Sequence, residues 1–312
     1  MGSFAKYPEI ELLHRVPDIM QEPEVVVMEK IHGTNARFGW VEGRFRIGGR
    51  NEEFDFQTST PSSGYGLMGW IHTTDLVRRV QELAESLNAE IIFYGEWFGP
   101  GIQKGVVYAK DKQFRVFDVR VNDDLVDWDE VVRLTERIGL KTVPLLYRGK
   151  PDRGVLDGHQ TSPSTVAFEN GVGTQENIGE GVVVKPSRMH RNLYNDWVIA
   201  KHKSPKFSER KSLSEGKVQP ATPESATAFV EEFFTLQRLE HVLTNMRSSG
   251  VDITAPSATG QIIRGMYGDV LKESKPEYDQ LDDDSRKAVD KHHAGKTKVI
   301  LGIWLANQPV GA

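Results

Sequence analysis

The spacing of apolar residues changes once along this chain, near residue 222. Before that point, short runs rich in Val, Ile, Phe and Tyr alternate with turn residues, a pattern that predicts buried or half-buried strands. Glu42-Gly43 separates two of these runs in the manner of a hairpin turn. The predicted strands are residues 25–30, 36–41, 44–47, 90–97, 113–121, 181–185 and 197–201.

Helical spacing occurs twice in the first part of the chain. Leucine and valine recur every three or four residues between 74 and 88, which predicts an amphipathic helix. Asp127, with Glu130 three residues later, predicts a capping box that opens a second helix. Residues 51–69 and 148–179 are rich in Gly, Ser, Thr and Asn and are expected to be loops.

From about residue 222 the pattern becomes helical. The stretch 203–224 is rich in Ser, Pro and Lys, which is typical of a linker. Thr222-Pro223 predicts a helix start, and apolar residues from 229 to 246 then line one helical face that stops before Gly250. Further helical patterns cover 258–273, 282–293 and 296–306. We therefore predict a β-rich α+β domain followed by an all-helical domain.

The composition excludes several classes of protein. The 312 residues contain no cysteine, so a disulfide scaffold, a thiolate zinc site and a cysteine nucleophile are excluded. No apolar run approaches the roughly 18–20 residues that span a membrane. Because the net charge is −5, a polyanion would have to bind a local cluster of cations. We expect an intracellular, cytoplasmic monomer that does not bind membranes.

The first candidate for chemistry is the segment Glu29-Lys30-Ile31-His32-Gly33-Thr34-Asn35, which follows the buried run 25–28. Lys30 stands where the predicted strand ends and the chain turns through Gly33. Partial desolvation at the edge of a sheet lowers the pKa of an amine and makes it a usable nucleophile. The alternative, on this segment alone, is a surface lysine that closes a strand.

Further charged and aromatic residues stand within other predicted strands or at their ends. Each has an ordinary alternative on its own: a loop cap, a core aromatic or a solvated cation. Two of the lysines are two residues apart, so strand alternation directs both to one face. Taken together and in this order along the chain, these residues form a specific signal, because one reaction requires all of them. They are Arg50, Glu96, Phe117, Asp118, Glu180, Lys185, Lys201 and Lys203.

That reaction is nucleotidyl transfer through a lysyl–AMP intermediate. The amine attacks the α-phosphate of ATP in line, and pyrophosphate leaves. The anionic transition state is stabilised by fixed lysines and a divalent metal around the phosphate. One carboxylate can hold magnesium, a second can accept the ribose hydroxyls, and an aromatic ring can stack on adenine.

The order Lys-x-x-Gly, Gly-Glu, Phe-Asp, Glu-Gly-x-Val-x-Lys and Lys-x-Lys resembles the covalent nucleotidyltransferases, namely polynucleotide ligases and RNA capping enzymes. The segments 29–35, 99–104 and 206–209 narrow the resemblance to the ATP-dependent RNA ligase 2 family, which includes bacteriophage nick-sealing and kinetoplastid RNA-editing ligases. The resemblance covers nearly the whole first domain and continues weakly at 238–243 and 300–305.

This resemblance implies an α+β fold. A nucleotidyltransferase (ATP-grasp-like) domain of antiparallel sheets flanked by helices would occupy residues 1–203. A linker at 204–222 and a small all-helical, RNA-engaging domain at 223–312 would follow. DNA ligases and capping enzymes usually carry an OB-fold barrel instead, which short alternating strands would reveal. The helical spacing after residue 222 argues against both.

The resemblance also implies roles for the residues that carry out the chemistry. Lys30 would be the adenylylated nucleophile, and Lys201 and Lys203 would contact the α-phosphate. Glu180 would hold the metal ion, Mg²⁺ or Mn²⁺.

Other matching residues would serve the nucleotide or the later steps. Asn35 and Arg50 would act mainly when the 3′-OH attacks the activated 5′ end. Glu96 would bind the ribose and Phe117 would stack on adenine. The remaining residues implied in nucleotide binding are Glu29, Ile31, His32, Asp118 and Lys185.

The implied activity is that of an ATP-dependent RNA ligase that seals 3′-OH/5′-phosphate nicks in duplex RNA or an RNA–DNA hybrid. It would proceed through enzyme–AMP and an adenylylated 5′ end. The alternatives are an ATP-dependent DNA ligase, a capping-type nucleotidyltransferase, and a non-catalytic RNA- or nucleotide-binding module on the same fold. The presence of the nucleophile, the metal carboxylate and both phosphate lysines argues against the module.

Overall fold

The computed structural model describes residues 4–208 and 225–308. The chain forms two compact units, Met1–Ser204 and Pro205–Ala312. The strands of the first unit are β1 (Glu11–Leu12), β2 (Val25–Lys30), β3 (Thr34–Val41), β4 (Arg44–Gly49), β5 (Glu53–Phe54), β6 (Ile91–Phe98), β7 (Gln113–Val121), β8 (Asp124–Leu125), β9 (Lys141–Thr142), β10 (Leu145–Gly149), β11 (Gly181–Pro186) and β12 (Ala200–Lys203). Its α-helices are α1 (Ser63–His72), α2 (Leu76–Leu87), α3 (Trp128–Arg137), α4 (Arg153–Gln160) and α5 (Thr165–Glu169).

These strands form two sheets. The five-stranded sheet has the order β1-β12-β11-β2-β10, and the seven-stranded sheet has the order β5-β4-β3-β6-β7-β8, with β9 added beside β7. The pairs at the centre of both sheets are antiparallel, whereas β1 pairs with β12 and β9 with β7 in parallel.

Strands β2 and β11 are buried on both faces, which explains their nearly continuous apolar sequences. Val25 and Val27 belong to the hydrophobic cluster that includes Leu156 of helix α4. Val26 and Met28 belong instead to the cluster that contains the core of the seven-stranded sheet. Because side chains alternate along a strand, residues of even and odd number on β2 face opposite sides of this sheet.

A buried ion pair joins the two sheets. Lys185 of β11 pairs with Asp118 of β7, and both side chains are at most 1% exposed. Asp118 also accepts a hydrogen bond of 2.7 Å from the hydroxyl of Tyr7. Burial and the neighbouring carboxylate raise the pKa of Tyr7 well above its ordinary value, so this hydroxyl stays a donor. The three groups satisfy one another and fix the spacing of β7 and β11.

Several sequence predictions for the first unit are wrong. Residues 51–69 and 148–179 are not loops throughout, because α1 begins at Ser63 and the second stretch contains α4 and α5. Strand β12 occupies 200–203 rather than 197–201. The capping box at Asp127 does not form, because its carboxylate accepts the backbone N–H of Met189 at 2.6 Å instead.

The described part of the second unit is helical. Its helices are α6 (Ala226–Phe233), α7 (Leu236–Ser248), α8 (Thr259–Asp279) and α9 (Asp283–Ala306). They enclose one hydrophobic cluster that includes Phe229, Leu239, Met266 and Trp304. The α+β class with a helical C-terminal region is thus confirmed. None of the helices within residues 4–208 and 225–308 is long and apolar enough to cross a membrane.

The helix boundaries in this unit differ from the predicted ones. The single face predicted for 229–246 is divided into two helices, because Thr235 interrupts the run and caps α7 through its hydroxyl. The patterns at 282–293 and 296–306 form one continuous helix, since the intervening Ala294-Gly295 does not break it. The predicted helix start at Thr222-Pro223 and most of the predicted linker lie outside the described residues.

We expect the loss of one partner of the Lys185–Asp118 pair to destabilise the protein more than the loss of both. Asp118→Asn leaves an uncompensated buried ammonium and should lower the free energy of unfolding by about 3–5 kcal/mol, measured by urea denaturation. Lys185→Met combined with Asp118→Leu removes both charges and should restore part of that loss, because only the neutral hydroxyl of Tyr7 is then left without its acceptor.

The matched control is Glu82→Ala, which breaks the exposed pair of Glu82 with Arg78 on helix α2. This change should leave the unfolding curve nearly unchanged. Equal losses in Asp118→Asn and in the double variant would show that packing, not the unpaired charge, determines the effect.

Candidate active site

Lys30 lies at the end of β2, where its backbone pairs with Gly181 of β11. This register places Lys30 beside Glu180, and the distance from Lys30 Nζ to Glu180 Oε2 is 2.8 Å. The lysine side chain is 20% exposed and the glutamate 7%. The amine is therefore held in a fixed position and is still accessible to a ligand.

Glu180 is surrounded by basic side chains. His32 Nδ1 lies 3.4 Å from Glu180 Oε2, and Lys203 Nζ lies 3.8 Å from the other carboxylate oxygen. Burial by itself raises the pKa of Glu180, but Lys30, His32 and Lys203 outweigh it and hold the pKa well below its ordinary value. Glu180 is thus an anion that orients these basic side chains. It is itself a poor base.

Glu96 has the opposite character. It is half-buried on β6, and its Oε1 accepts a hydrogen bond of 3.0 Å from the backbone N–H of Gly33. Burial raises the pKa of Glu96 to about 8, although Lys30 opposes this rise. A carboxyl that keeps its proton near neutral pH can both donate to and accept from a hydroxyl group.

Two backbone features support this part of the site. Gly33 passes so close to the Trp97 carbonyl that any Cβ would collide with it. Tyr108, itself buried, accepts the backbone N–H of His32 through its hydroxyl at 2.9 Å. The turn after Lys30 is thereby held against β6 and against the loop that follows it.

Asn35 pairs with Glu96 across β3 and β6. Its Oδ1 is buried and has no hydrogen-bond partner among the residues that the structure describes. An unpaired buried oxygen is costly. A ligand that donates a hydrogen bond here would remove this cost, so Asn35 fits a ligand-binding role.

Phe117 occupies a β-bulge, because Gly95 pairs with Val116 while Tyr94 pairs with Asp118. Bulges often re-aim side chains beside active sites. Phe117 and Val183 of β11 are both half-buried, and both pack against the same two hydrophobic clusters. Together they provide apolar surface of the kind that contacts a planar base.

Arg50 follows the end of β4 and is half-buried. The buried guanidinium of Arg37 donates to the carbonyls of Gly49 and Arg50, at 3.3 Å for the latter, and so holds this strand end. The positive charge of Arg50 acts on both Glu96 and Tyr7, lowering the pKa of each against the effect of burial. Arg50 therefore belongs to the same electrostatic environment.

The structure brings most of the predicted residues to one region. Lys30, His32, Glu96, Glu180 and Lys203 contact or influence one another directly. Lys201 shares the face of Lys203, because it pairs with Val183 two positions before Lys203 pairs with Gly181.

Four predicted residues have other contacts. Glu29 faces away from Lys30, and its carboxylate accepts the Ser164 hydroxyl at 2.5 Å and the Val166 N–H at 3.1 Å. Ile31 is buried in the core. Asp118 and Lys185 bind each other, as described above. Nucleotide contacts for these four residues stay predictions.

The donor set fits a metal ion only together with a ligand. Among residues 4–208 and 225–308, no cluster of three or more His, Asp or Glu side chains could hold a metal. Magnesium is commonly held by one or two carboxylates plus substrate phosphates. Glu180 fits that arrangement.

The antiparallel sheets, with a lysine and a carboxylate at the ends of paired strands, form the nucleotidyltransferase fold of RNA ligases. The RNA ligase family model matches residues 23–203, which is more than half of the chain. The chain therefore belongs to the RNA ligase family.

Solved structures of an RNA ligase from Naegleria gruberi are similar in fold. The structure with PPi has a TM-score of 0.52 and 18% sequence identity, and covers 70% of this chain and 61% of that one. A variant with ATP and Mn has a TM-score of 0.51 at 16% identity, covering 68% and 58%. Another variant, with AMP and Mn, has a TM-score of 0.51 and 19% sequence identity, and covers 70% of this chain and 61% of that one. This chain thus spans about three fifths of the length of the Naegleria enzyme.

The raised pKa of Glu96 predicts a pH dependence of stability. Between the ordinary value of 4.5 and about 8, the folded protein keeps a proton that the unfolded chain has lost. The contribution of Glu96 to stability therefore falls as the pH rises through this range. Glu180 has a lowered pKa, so its contribution changes only at more acidic pH.

We expect Glu96→Gln to have a flatter dependence of unfolding free energy on pH between about 5 and about 8, measured by urea denaturation. Glu85→Gln, on the exposed surface of α2, is the control and should keep the slope of the unsubstituted protein. An unchanged slope in Glu96→Gln would contradict the assignment.

Proposed function

We propose that this protein is an ATP-dependent RNA ligase that seals 3′-OH/5′-phosphate breaks held in a duplex. The observation that carries the proposal is the fixed Lys30 amine beside Glu180 and Lys203, in a chain that belongs to the RNA ligase family. The narrower resemblance to the RNA ligase 2 family supports nicked duplex RNA or an RNA–DNA hybrid as the substrate. We also propose that the protein acts in the cytoplasm and as a monomer.

In the first step, Lys30 Nζ bonds to the α-phosphorus of ATP while the bond to the β-phosphate oxygen breaks. Pyrophosphate leaves with the electron pair. Lys30, an ammonium while it is paired with Glu180, loses one proton to solvent before the attack and a second one as the P–N bond forms. Lys201 and Lys203 offset the negative charge that develops on the α-phosphate. Mg²⁺ or Mn²⁺ held with Glu180 would supply further positive charge at the phosphates.

The nucleotide would be oriented by groups already present around Lys30. Glu96 can exchange hydrogen bonds with the ribose hydroxyls, and Asn35 offers the unpaired Oδ1. The base would contact the apolar surface of Phe117 and Val183. His32 remains beside Glu180, with its Nδ1 3.4 Å from the carboxylate.

In the second step, a 5′-phosphate oxygen of the RNA attacks the phosphorus of lysyl-AMP, and Lys30 takes up a proton from solvent and leaves as the amine. In the third, the 3′-OH attacks the 5′-phosphorus and loses its proton to solvent, and AMP leaves with the electron pair. Asn35 and Arg50 would stabilise the last transition state. The helical second unit would engage the RNA duplex.

We expect α-labelled ATP with magnesium to label the protein covalently, because the amine of Lys30 is held beside Glu180 and is still accessible. Lys30→Ala should abolish the label, detected by gel after denaturation. Lys141→Ala, at the start of β9, is the control and should label normally. A labelled Lys30→Ala protein would reject the nucleophile, and labelling by GTP in place of ATP would favour a capping-type enzyme.

We expect Arg50→Ala to separate the steps. Self-labelling should stay within about twofold, whereas closure of a nick with a pre-adenylylated 5′ end should fall about 100-fold, as for loss of one transition-state donor. Arg44→Ala, at the exposed start of the same strand, should seal normally. Equal losses in both assays would make Arg50 a structural residue. Substrates with DNA on both sides of the nick test the DNA ligase alternative.

A further inference from the structure

The strand that carries Lys201 and Lys203 is paired on both of its edges only in its first half. Strand β1 pairs with β12 only at Glu11–Ala200 and Leu12–Lys201. Beyond Lys201, no strand continues this edge of the sheet within the described residues. The position of Lys203 is therefore fixed by its pairing with Gly181 of β11 and by contacts from outside the sheet.

A side chain from helix α4 makes one of these contacts. Gln160 Nε2 donates to the backbone carbonyl of Lys203 at 2.6 Å. The same nitrogen lies 3.3 Å from His202 Nδ1. The amide has two hydrogens, so it can serve both acceptors at once.

His202 completes this arrangement. It points away from the cleft, because strand side chains alternate and Lys203 faces Glu180. His202 Nε2 lies 2.7 Å from the Asp157 carboxylate, so Nε2 carries the hydrogen and Nδ1 accepts from Gln160. Burial lowers the pKa of His202, which favours this neutral form.

Helix α4 is itself anchored. Its Leu156 is fully buried against Val182 and Val184 of β11. On the other side, the N–H of Ser204 donates to the Glu180 carbonyl at 2.8 Å. The backbone around Lys203 is thus clamped between helix α4 and the residue that binds its ammonium group.

We infer that Gln160 is a positioning residue for Lys203, and that helix α4 determines how accurately this lysine meets the α-phosphate. The inference rests on the proposed function, because it assigns Lys203 to the first step. It adds a residue outside every motif by which the family is recognised in this sequence. Small displacements of a catalytic group reduce the rate of a reaction strongly.

The test is a double-mutant cycle on the rate of self-labelling by α-labelled ATP in a single turnover. Gln160→Met removes both donors at similar size, and Gln160→Glu places an oxygen against the Lys203 carbonyl. Each should slow labelling about tenfold. The ATP concentration that gives half the maximal rate should change less than the rate itself. Gln81→Met, on helix α2, is the matched control and should label normally.

In a Lys203→Met background, the Gln160 substitutions should change the remaining rate less than twofold. Equal effects in both backgrounds would overturn the inference, because they would show general damage to the fold. Thermal unfolding of each variant detects such damage separately. If Lys203→Met labels slowly but the Gln160 variants label at the normal rate, the inference is overturned and the proposed function is not. Absence of labelling in the unsubstituted protein would instead overturn the proposed function.

Discussion

The pairing of β2 with β11 is the constraint on which the candidate site depends. Because Lys30 pairs with Gly181, the residue before Gly181 must lie beside the lysine, and this residue is Glu180. The same strand β11 holds β12 on its other edge and so brings Lys203 to the second oxygen of the carboxylate. Three segments far apart in sequence thus converge through two strand registers.

Electrostatic interactions then give the two glutamates of the site different charge states. Both are partly or fully removed from water, which favours the neutral form of each. Glu180 has two lysines and a histidine beside it and is ionised, whereas Glu96 has one backbone donor and weaker charges, and its pKa rises to about 8. One carboxyl can therefore balance charge, while the other can exchange hydrogen bonds with neutral hydroxyls. Residue type alone does not distinguish them.

Much of the fold could be predicted from local patterns. Continuous β-branched runs identified β2 and β11, and leucine spacing identified α2. Helices α4 and α5 were missed because glycines and polar residues conceal their short apolar faces, and only Asp152 and Ser164 signal their starts through capping hydrogen bonds. The capping box at Asp127 failed because a distant backbone group, from Met189, competes for its carboxylate. Gln160 had no sequence signal, since its proposed role arises from a contact between helix α4 and strand β12.

The alternation of side chains along a strand explains why a motif identifies residues without showing which of them face the site. Lys30 and Glu29 are neighbours in one motif, yet one lies beside Glu180 and the other accepts hydrogen bonds at the start of α5. Lys185 and Asp118 likewise hold the sheets together. Residues that directly support the site are therefore found within the same motifs as those facing it. Substitutions at Glu29 or Asp118 would act through the positions of β2 and β7, even if neither side chain touches a nucleotide.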